Sequence, residues 1–120
     1  MTFIDDNCTY EDLNFRRTFR GKSAVQSLFE ESLNSVPADF CFVIDNIAGD
    51  AQAVGLTWHV ELAGVTFPNT RGASFYRFSA ETGKLVYGRD SVESPIKPGK
   101  VAFVIIRAVA PLARRLLKPG

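Results

Sequence analysis

The sequence contains few of the residues that build metal centres and disulfide frameworks. Among 120 residues there is one histidine, His59, and there are two cysteines, Cys8 and Cys41. Neither cysteine lies in a metal-ligand spacing, and a structural zinc site needs about four Cys or His ligands. We therefore expect no metal and no cofactor. We expect both thiols to be buried in strands and reduced, unless the strands bring them close enough to form a bridge.

An excess of one charge and a long apolar run are also missing. The chain has 14 Lys and Arg against 13 Asp and Glu, a net charge of +1. No global field attracts a polyanion, so we expect no nucleic-acid binding. The C-terminal segment has no uncharged run longer than Val101 to Ile106, whereas a membrane-spanning helix needs about 20 apolar residues. The first residues, Phe3 to Asp6, resemble mature structure rather than a targeting peptide.

The clearest pattern present is an alternation of apolar and polar residues between Ala53 and Glu93. Apolar side chains occupy every second position from Val54 to Leu62, as in a strand with two unlike faces. Turn signals at Ala63-Gly64 and around Gly83 separate this stretch from two further strand-like segments, 73–78 and 85–92. The pattern predicts a curved meander of three antiparallel strands.

The residues before the meander predict a strand, a helix and a second strand. Residues 2–12 are typical of a strand of mixed polarity. Ser23 and Gln26 form a capping-box pattern at the start of a helix expected to end at Ser35, before Pro37. The following run, Phe40 to Ile44, is apolar on both faces, which predicts an interior strand beneath the helix. The fold class is therefore α+β, with a curved antiparallel sheet wrapping a helix.

The C-terminal segment, residues 95–120, differs from the domain predicted for residues 1–94. An apolar helix is expected from Lys100 to Lys118, kinked or divided at Pro111. Such a helix could pack on its own domain, or it could dock on an anionic membrane surface or in the groove of a partner protein. The residues predicted to dock are Lys100, Phe103, Arg107, Arg114 and Arg115.

Five short motifs occur along the chain: Phe3-x-Asp5-Asp6-x-Cys8-x-Tyr10-Glu11-Asp12, Phe19-x-Gly21-Lys22-x-Ala24-Val25, Trp58-His59-Val60-Glu61, Arg71-Gly72-Ala73-Ser74-Phe75-Tyr76 and Gly83-Lys84-Leu85. Together they resemble the NTF2-like superfamily and, within it, small SnoaL-like domain proteins of plants and algae, over about residues 3 to 94. The resemblance implies a cone: a bent sheet closed by helices around an apolar pocket. It also implies an N-terminal helix, for which the segment before the first predicted strand leaves no room. The resemblance further implies an organelle location, specifically the chloroplast, with the cytoplasm as the alternative.

The resemblance also implies candidate catalytic and pocket residues. Relatives with isomerase, cyclase or dehydratase activity use an aspartate, alone or with a histidine, so His59, Asp90 and Tyr76 are the candidates if this chain is an enzyme. Alternation argues against His59, because it shares a face with Glu61, opposite Trp58. Asp90 could serve as the acid or could pair with an arginine on a neighbouring strand. The residues predicted to line the pocket, or else to fill it as a core, are Trp58, Val60, Phe75, Tyr76, Phe78 and Tyr87.

Two functions follow from these features. The first is a non-catalytic accessory subunit that docks on a larger, membrane-associated protein complex through the sheet's outer face and the C-terminal helix. The second is a SnoaL-like isomerase, cyclase or carrier that binds a small apolar molecule in the cone. The sequence favours the first because it offers no convincing Asp–His pair. Dimerisation through the outer face of the sheet is compatible with either function.

Overall fold

A computed structural model describes residues 3–117 as a curved sheet with one packed helix and one projecting helix. The strands run in the order β2-β1-β7-β6-β4-β3, with β5 paired to β4. Among these described strands only β1 and β7 are parallel neighbours. The predicted α+β fold is therefore confirmed. The elements are β1 (Ile4–Asp12), β2 (Phe19–Arg20), α1 (Lys22–Ser35), β3 (Phe40–Gly49), β4 (Ala53–Leu62), β5 (Val65–Thr66), β6 (Gly72–Phe78), β7 (Leu85–Val92) and α2 (Val101–Leu117).

The core lies between α1 and β1, and Leu85 of β7 joins it. Val25 of α1 and Ile4 and Cys8 of β1 are fully buried, and Leu28 and Leu85 are nearly so. Burying side chains of this size contributes about 1.5–3 kcal/mol each. The pairings of β1 with β7, of β3 with β4 and of β6 with β7 each contain a register shift, and irregularities of this kind bend and twist a sheet.

The start of α1 differs from the prediction. Gly21, not Ser23, precedes the first turn, and no side chain of the described residues caps the helix. Gly21 adopts a φ of 88°, which a residue with a Cβ rarely tolerates, and its N–H donates to the Cys8 carbonyl at 2.8 Å. The predicted capping box is therefore wrong, because tertiary pairing with β1 fixes the helix start. The helix ends at Ser35, before Pro37, as predicted.

Strand β3 lies at the edge of the sheet instead of in its interior. It pairs with β4 alone, and Phe42, Ile44 and Ile47 are between 57% and 64% exposed. An apolar run on both faces suggested burial, but the helix covers β1 rather than this strand. Because β3 lies at the edge, Cys41 is exposed. Cys8 on β1 is buried, and both thiols are free. The prediction that both cysteines are buried is wrong for Cys41.

Helix α2 makes no contact with another helix or strand in residues 3–117, and none of its side chains is buried. The interpretation in which it packs on its own domain is therefore wrong. Pro111 lies inside the helix without dividing it, and Lys118, where the predicted helix ended, lies outside the described residues. Within the part of the chain described, neither helix combines the length and the apolar character needed to cross a membrane.

Candidate functional site

An open cavity of about 770 Å³ lies on the concave side of the sheet, beside α1. Its wall is mainly apolar, and Leu33, Phe42 and Ile44 in that wall are more than half exposed, so the cavity opens to solvent there. A cavity of this size is typical of sites for small molecules. The main apolar lining residues are Leu28, Phe29, Leu33, Phe40, Phe42, Ile44, Leu56, Trp58 and Val60.

Polar groups converge on one carboxyl group in this wall, that of Asp90. Its Oδ2 accepts a hydrogen bond of 2.5 Å from the Tyr10 hydroxyl, and its Oδ1 accepts bonds of 2.6 Å from Ser74 and 3.3 Å from Tyr76. Asp90 is half-buried and forms no ion pair with any side chain of residues 3–117. Asp90 is thus held by neutral hydroxyl groups rather than by an arginine, the pairing considered from the sequence.

Strand register places Ser74 beside Asp90. Ser74 on β6 is directly opposite Asp90 on β7, and both face the cavity. The Trp58 indole N–H donates to Ser74 Oγ at 2.9 Å, while the Ser74 hydroxyl donates to Asp90. Each polar atom in this series of hydrogen bonds therefore has a partner, as buried polar groups require. The chain of bonds fixes the carboxyl group's orientation and ties it to the wall of the cavity.

Tyr10 reaches Asp90 because β1 lies parallel to β7. Tyr10 is opposite Gly88, and a Cβ at position 88 would overlap the tyrosine ring. The ring also meets Phe29 of α1 edge to face, with centroids 5.0 Å apart, and only 2% of Tyr10 is exposed. Burial, together with the neighbouring charge of Asp90, raises the pKa of Tyr10 far above its ordinary value. The hydroxyl therefore stays protonated and serves as a donor.

Tyr76 is the adaptable member of the cluster. Burial and the charge of Asp90 also raise the pKa of its hydroxyl, so it too remains a donor. Its 3.3 Å bond to Asp90 is long for a bond between two oxygens, and such bonds are weak. The Tyr76 hydroxyl can therefore turn to a ligand oxygen at little energetic expense.

His59 lies on the other face of the sheet, where alternation predicted it. Its Nδ1 is 2.8 Å from Asp45 Oδ1 and its Nε2 is 2.7 Å from Glu61 Oε2. Asp45 is the extra residue of the β3 bulge, so no sequence period could have paired it with His59. Hydrogen bonds to Asp45 and Glu61 raise the pKa of His59. Within residues 3–117 no three His, Cys, Asp or Glu side chains are arranged to hold a metal ion.

Three of the six residues proposed for the pocket lie in the cavity wall, and three do not. Trp58, Val60 and Tyr76 lie in the cavity wall. Phe75 and Tyr87 lie on the opposite face, with ring centroids 6.4 Å apart, because their strands alternate. There the Tyr87 hydroxyl donates to Glu11 at 2.5 Å. Phe78 is not in the cavity wall but packs, partly buried, against the core.

The sequence interpretation missed Tyr10 and Ser74 as site residues. Ser74 could have been found, because alternation along β6 places it on the same face as Tyr76. Tyr10 could not, because its position depends on the parallel pairing of β1 with a strand far along the chain. The residues predicted for docking lie elsewhere: Phe103, Arg107, Arg114 and Arg115 are in α2, and Lys100 immediately precedes it.

The curved sheet, the packed helix and the cavity between them define an NTF2-like fold. The fold is similar to that of an NTF2-like protein of unknown function from Mesorhizobium loti, with a TM-score of 0.57. The two sequences are 20% identical, and the match covers 78% of this chain and 74% of that one. The SnoaL-like domain pattern matches residues 1–88 of the sequence. The chain therefore belongs to the SnoaL-like domain family, as its motifs suggested.

Two further solved structures share this fold. One is a candidate isomerase of the SnoaL-like family from Agrobacterium tumefaciens strain C58, with a TM-score of 0.61 and 14% identity over 78% of this chain and 76% of its own. The other is a candidate SnoaL-like polyketide cyclase from Shewanella denitrificans OS-217, with a TM-score of 0.61 and 15% identity over 76% and 74%. No curated protein gives a significant sequence match. At these identities the likeness establishes the fold alone.

Proposed function

We propose that this chain binds a small apolar molecule bearing a carbonyl group and catalyses proton transfer at the carbon beside it, as an isomerase or cyclase does. One observation carries the proposal. The carboxyl group of Asp90, which has no cationic partner among residues 3–117, lies in the wall of an open apolar cavity among hydroxyl donors. The names of two structural neighbours, a candidate isomerase and a candidate cyclase, support the same class of reaction.

The cavity favours a ligand with a large apolar body and one polar end. Trp58, Phe40 and Phe42 supply aromatic wall, with Phe42 meeting Trp58 edge to face at 5.3 Å. Such a wall gains energy by removing apolar ligand surface from water, at about 25 cal/mol per Å². The polar atoms around Asp90 would then meet the ligand's carbonyl end.

Asp90 has the geometry of the group that moves the proton. Tyr10 occupies one acceptor position on Oδ2, so this oxygen retains a lone pair for a proton from carbon. The carboxylate takes the proton, the carbon–hydrogen electron pair becomes the new carbon–carbon double bond, and negative charge moves to the carbonyl oxygen. Returning the proton to another carbon completes an isomerisation. A positioned base of this kind contributes about 10²- to 10⁴-fold in rate.

Tyr76 is the proposed donor to the oxygen that gains charge. A hydroxyl that is already aimed and protonated stabilises an oxyanion without solvent reorganisation. The long bond of Tyr76 to Asp90 leaves this hydroxyl available, while the shorter bonds from Tyr10 and Ser74 hold the carboxyl group in place. His59 has no part in this reaction, because it points away from the cavity toward Asp45 and Glu61.

The proposal can be tested with 2-tetralone, an apolar aromatic ketone with exchangeable hydrogens beside its carbonyl. Trp58 is the only tryptophan and lies in the cavity wall, so its fluorescence should report binding directly. Exchange of the ketone's hydrogens for deuterium, followed by NMR in D2O, reports proton transfer. We expect fluorescence quenching and accelerated exchange with the native protein.

Variants separate binding from chemistry. Asp90→Asn should abolish the accelerated exchange while Trp58 quenching by the ketone persists. His59→Gln, on the opposite face, is the matched control and should leave both signals unchanged. Quenching without exchange in the native protein would support a carrier and reject catalysis. Equal exchange in the native protein and Asp90→Asn would show that another group moves the proton.

A second candidate role is an accessory subunit docking on a membrane-associated protein complex. The exposure of α2 supports it, because nine large apolar side chains there are between 50% and 80% exposed. The chain ending at Ser94 tests this role, since an assembly that forms equally well without α2 does not use it. Attachment at an organelle membrane, such as that of the chloroplast, and dimerisation through the outer face remain predictions attached to this role.

A further inference from the structure

Helix α2 has a wide apolar face that no other described residue covers. At about 100° per residue, eight of its nine large apolar side chains lie within an arc of about 200° around the helix axis, and Val104 lies outside that arc, on the basic side. Val101, Ile105, Val109, Leu112 and Leu116 lie close together in one half of this arc, and each is at least half exposed. A helix that packs on its own domain usually has an apolar stripe only about 100° wide. The apolar face of α2 is wider, which suits a helix embedded in an extended apolar environment.

The charged side chains of α2 are all basic and lie away from the centre of that face. Arg107 and Arg114 are seven residues apart and share one side of the helix, and Lys100 continues their row. Arg115 lies on the other side of the apolar arc. The sequence contains no Asp or Glu after Glu93. Every charged side chain in this segment is therefore basic.

We propose that α2 lies flat on an anionic lipid bilayer, with its apolar arc among the acyl chains and its arginines at the phosphate groups. A wide apolar face flanked by basic residues is the pattern of helices that lie in the membrane interface. The helix has 17 residues and is about 25 Å long, so several lipid headgroups can reach its basic side.

Charge complementarity favours a lipid surface over a second copy of this chain. Two α2 helices paired along their apolar faces would bring only basic side chains to the edges of the contact, where like charges repel. An anionic bilayer instead supplies negative charge on both sides of the embedded face. This inference concerns a different region from the Asp90 cavity and does not depend on the function proposed for it.

Vesicle binding by the full chain tests the proposal. Vesicles of phosphatidylcholine alone are compared with vesicles that also contain phosphatidylglycerol, and bound protein is measured by co-sedimentation at low and high salt. We expect clear binding to the anionic vesicles, at least about tenfold weaker binding to the neutral ones, and weakening by salt, since screening shortens the reach of the charges.

Paired variants locate the effect in α2. Replacing Arg107 and Arg114 by Ala should weaken binding about 25-fold, because each basic residue near an anionic surface contributes about fivefold. The double change of Arg16 and Arg17 to Ala, in an exposed loop, alters the net charge equally and should leave binding unchanged. Replacing Ile105 and Leu112 by Ser should reduce binding to both vesicle types.

Other results would overturn the proposal. Equal binding to neutral and anionic vesicles, or equal losses from the loop and helix arginine pairs, would remove the role of the α2 charges. Self-association that depends on α2, measured by analytical ultracentrifugation and accompanied by no vesicle binding, would assign the apolar face to a second copy. Circular dichroism checks that each variant keeps its fold. We expect this because α2 contacts no other helix or strand of residues 3–117, and Arg16 and Arg17 are exposed.

Discussion

The two faces of one sheet hold two polar clusters of opposite design. On the concave face the carboxyl group of Asp90 is surrounded by three neutral hydroxyls, and on the other face the imidazole of His59 lies between two carboxylates. The first arrangement leaves a base with spare acceptor capacity beside an apolar cavity. The second satisfies both ring nitrogens with protein partners. The neighbours of a titratable group, rather than its type, therefore decide whether it is available for chemistry.

The largest expected difference between the faces is in catalysis. Asp90→Asn should lower the rate of ketone hydrogen exchange about 10²- to 10⁴-fold, because the amide cannot take the proton. The same assay on His59→Gln should give the native rate. A large loss in His59→Gln, with the fold intact, would reverse the roles assigned to the two faces.

Crowding the Asp90 cluster should destabilise the fold. In Gly88→Ala the new methyl group overlaps the Tyr10 ring, which is buried and cannot move freely, so we expect a loss of about 1–3 kcal/mol in the free energy of unfolding. Gly55→Ala is the control, since a Cβ at position 55 meets no atom within 4 Å. Urea unfolding measures both. Similar losses in the two variants would show that contact with Tyr10 does not control the effect.

Two tyrosines allow a direct comparison of the faces. Tyr10 and Tyr87 each donate to a carboxylate at 2.5 Å, the first to Asp90 and the second to Glu11. Tyr10→Phe should lower the free energy of unfolding by about 1.5–3 kcal/mol, because it removes a buried donor from a charged partner. Tyr87→Phe should have the smaller effect, since Glu11 also bonds Arg89 and water can reach it. Equal losses of unfolding free energy in the two variants would contradict the expectation that the more buried hydrogen bond stabilises the fold more.

The smallest expected effect is a pH dependence from His59. Its pKa is raised in the folded chain by Asp45 and Glu61, so its contribution to stability is complete below the unfolded value of about 6.5. The contribution is lost as pH rises through the higher folded pKa. Urea midpoints measured from pH 5.5 to pH 9 (about the range that brackets this change) should therefore fall for the native chain. They should fall less for His59→Gln, and parallel curves would argue against the assigned partners.

Local pattern was enough to predict several features. The alternation along β4 correctly separates Trp58 from His59 and Glu61, and the helical spacing before Pro37 predicts α1. The same reasoning fails for β3, where an apolar run suggests burial but the strand lies at the sheet edge. Nor could it place Asp45 beside His59, because a bulge shifts the register by one residue there.

The sequence by itself determined which side chains share a face of each strand and that the final helix is apolar and basic, because these properties depend only on the repeat of the local backbone. The tertiary structure decided which faces meet. Tyr10 and Asp90 are 80 positions apart and form one site only because β1 lies parallel to β7. The order of strands in a sheet depends on the packing of the whole domain, so no local period along the chain can contain it.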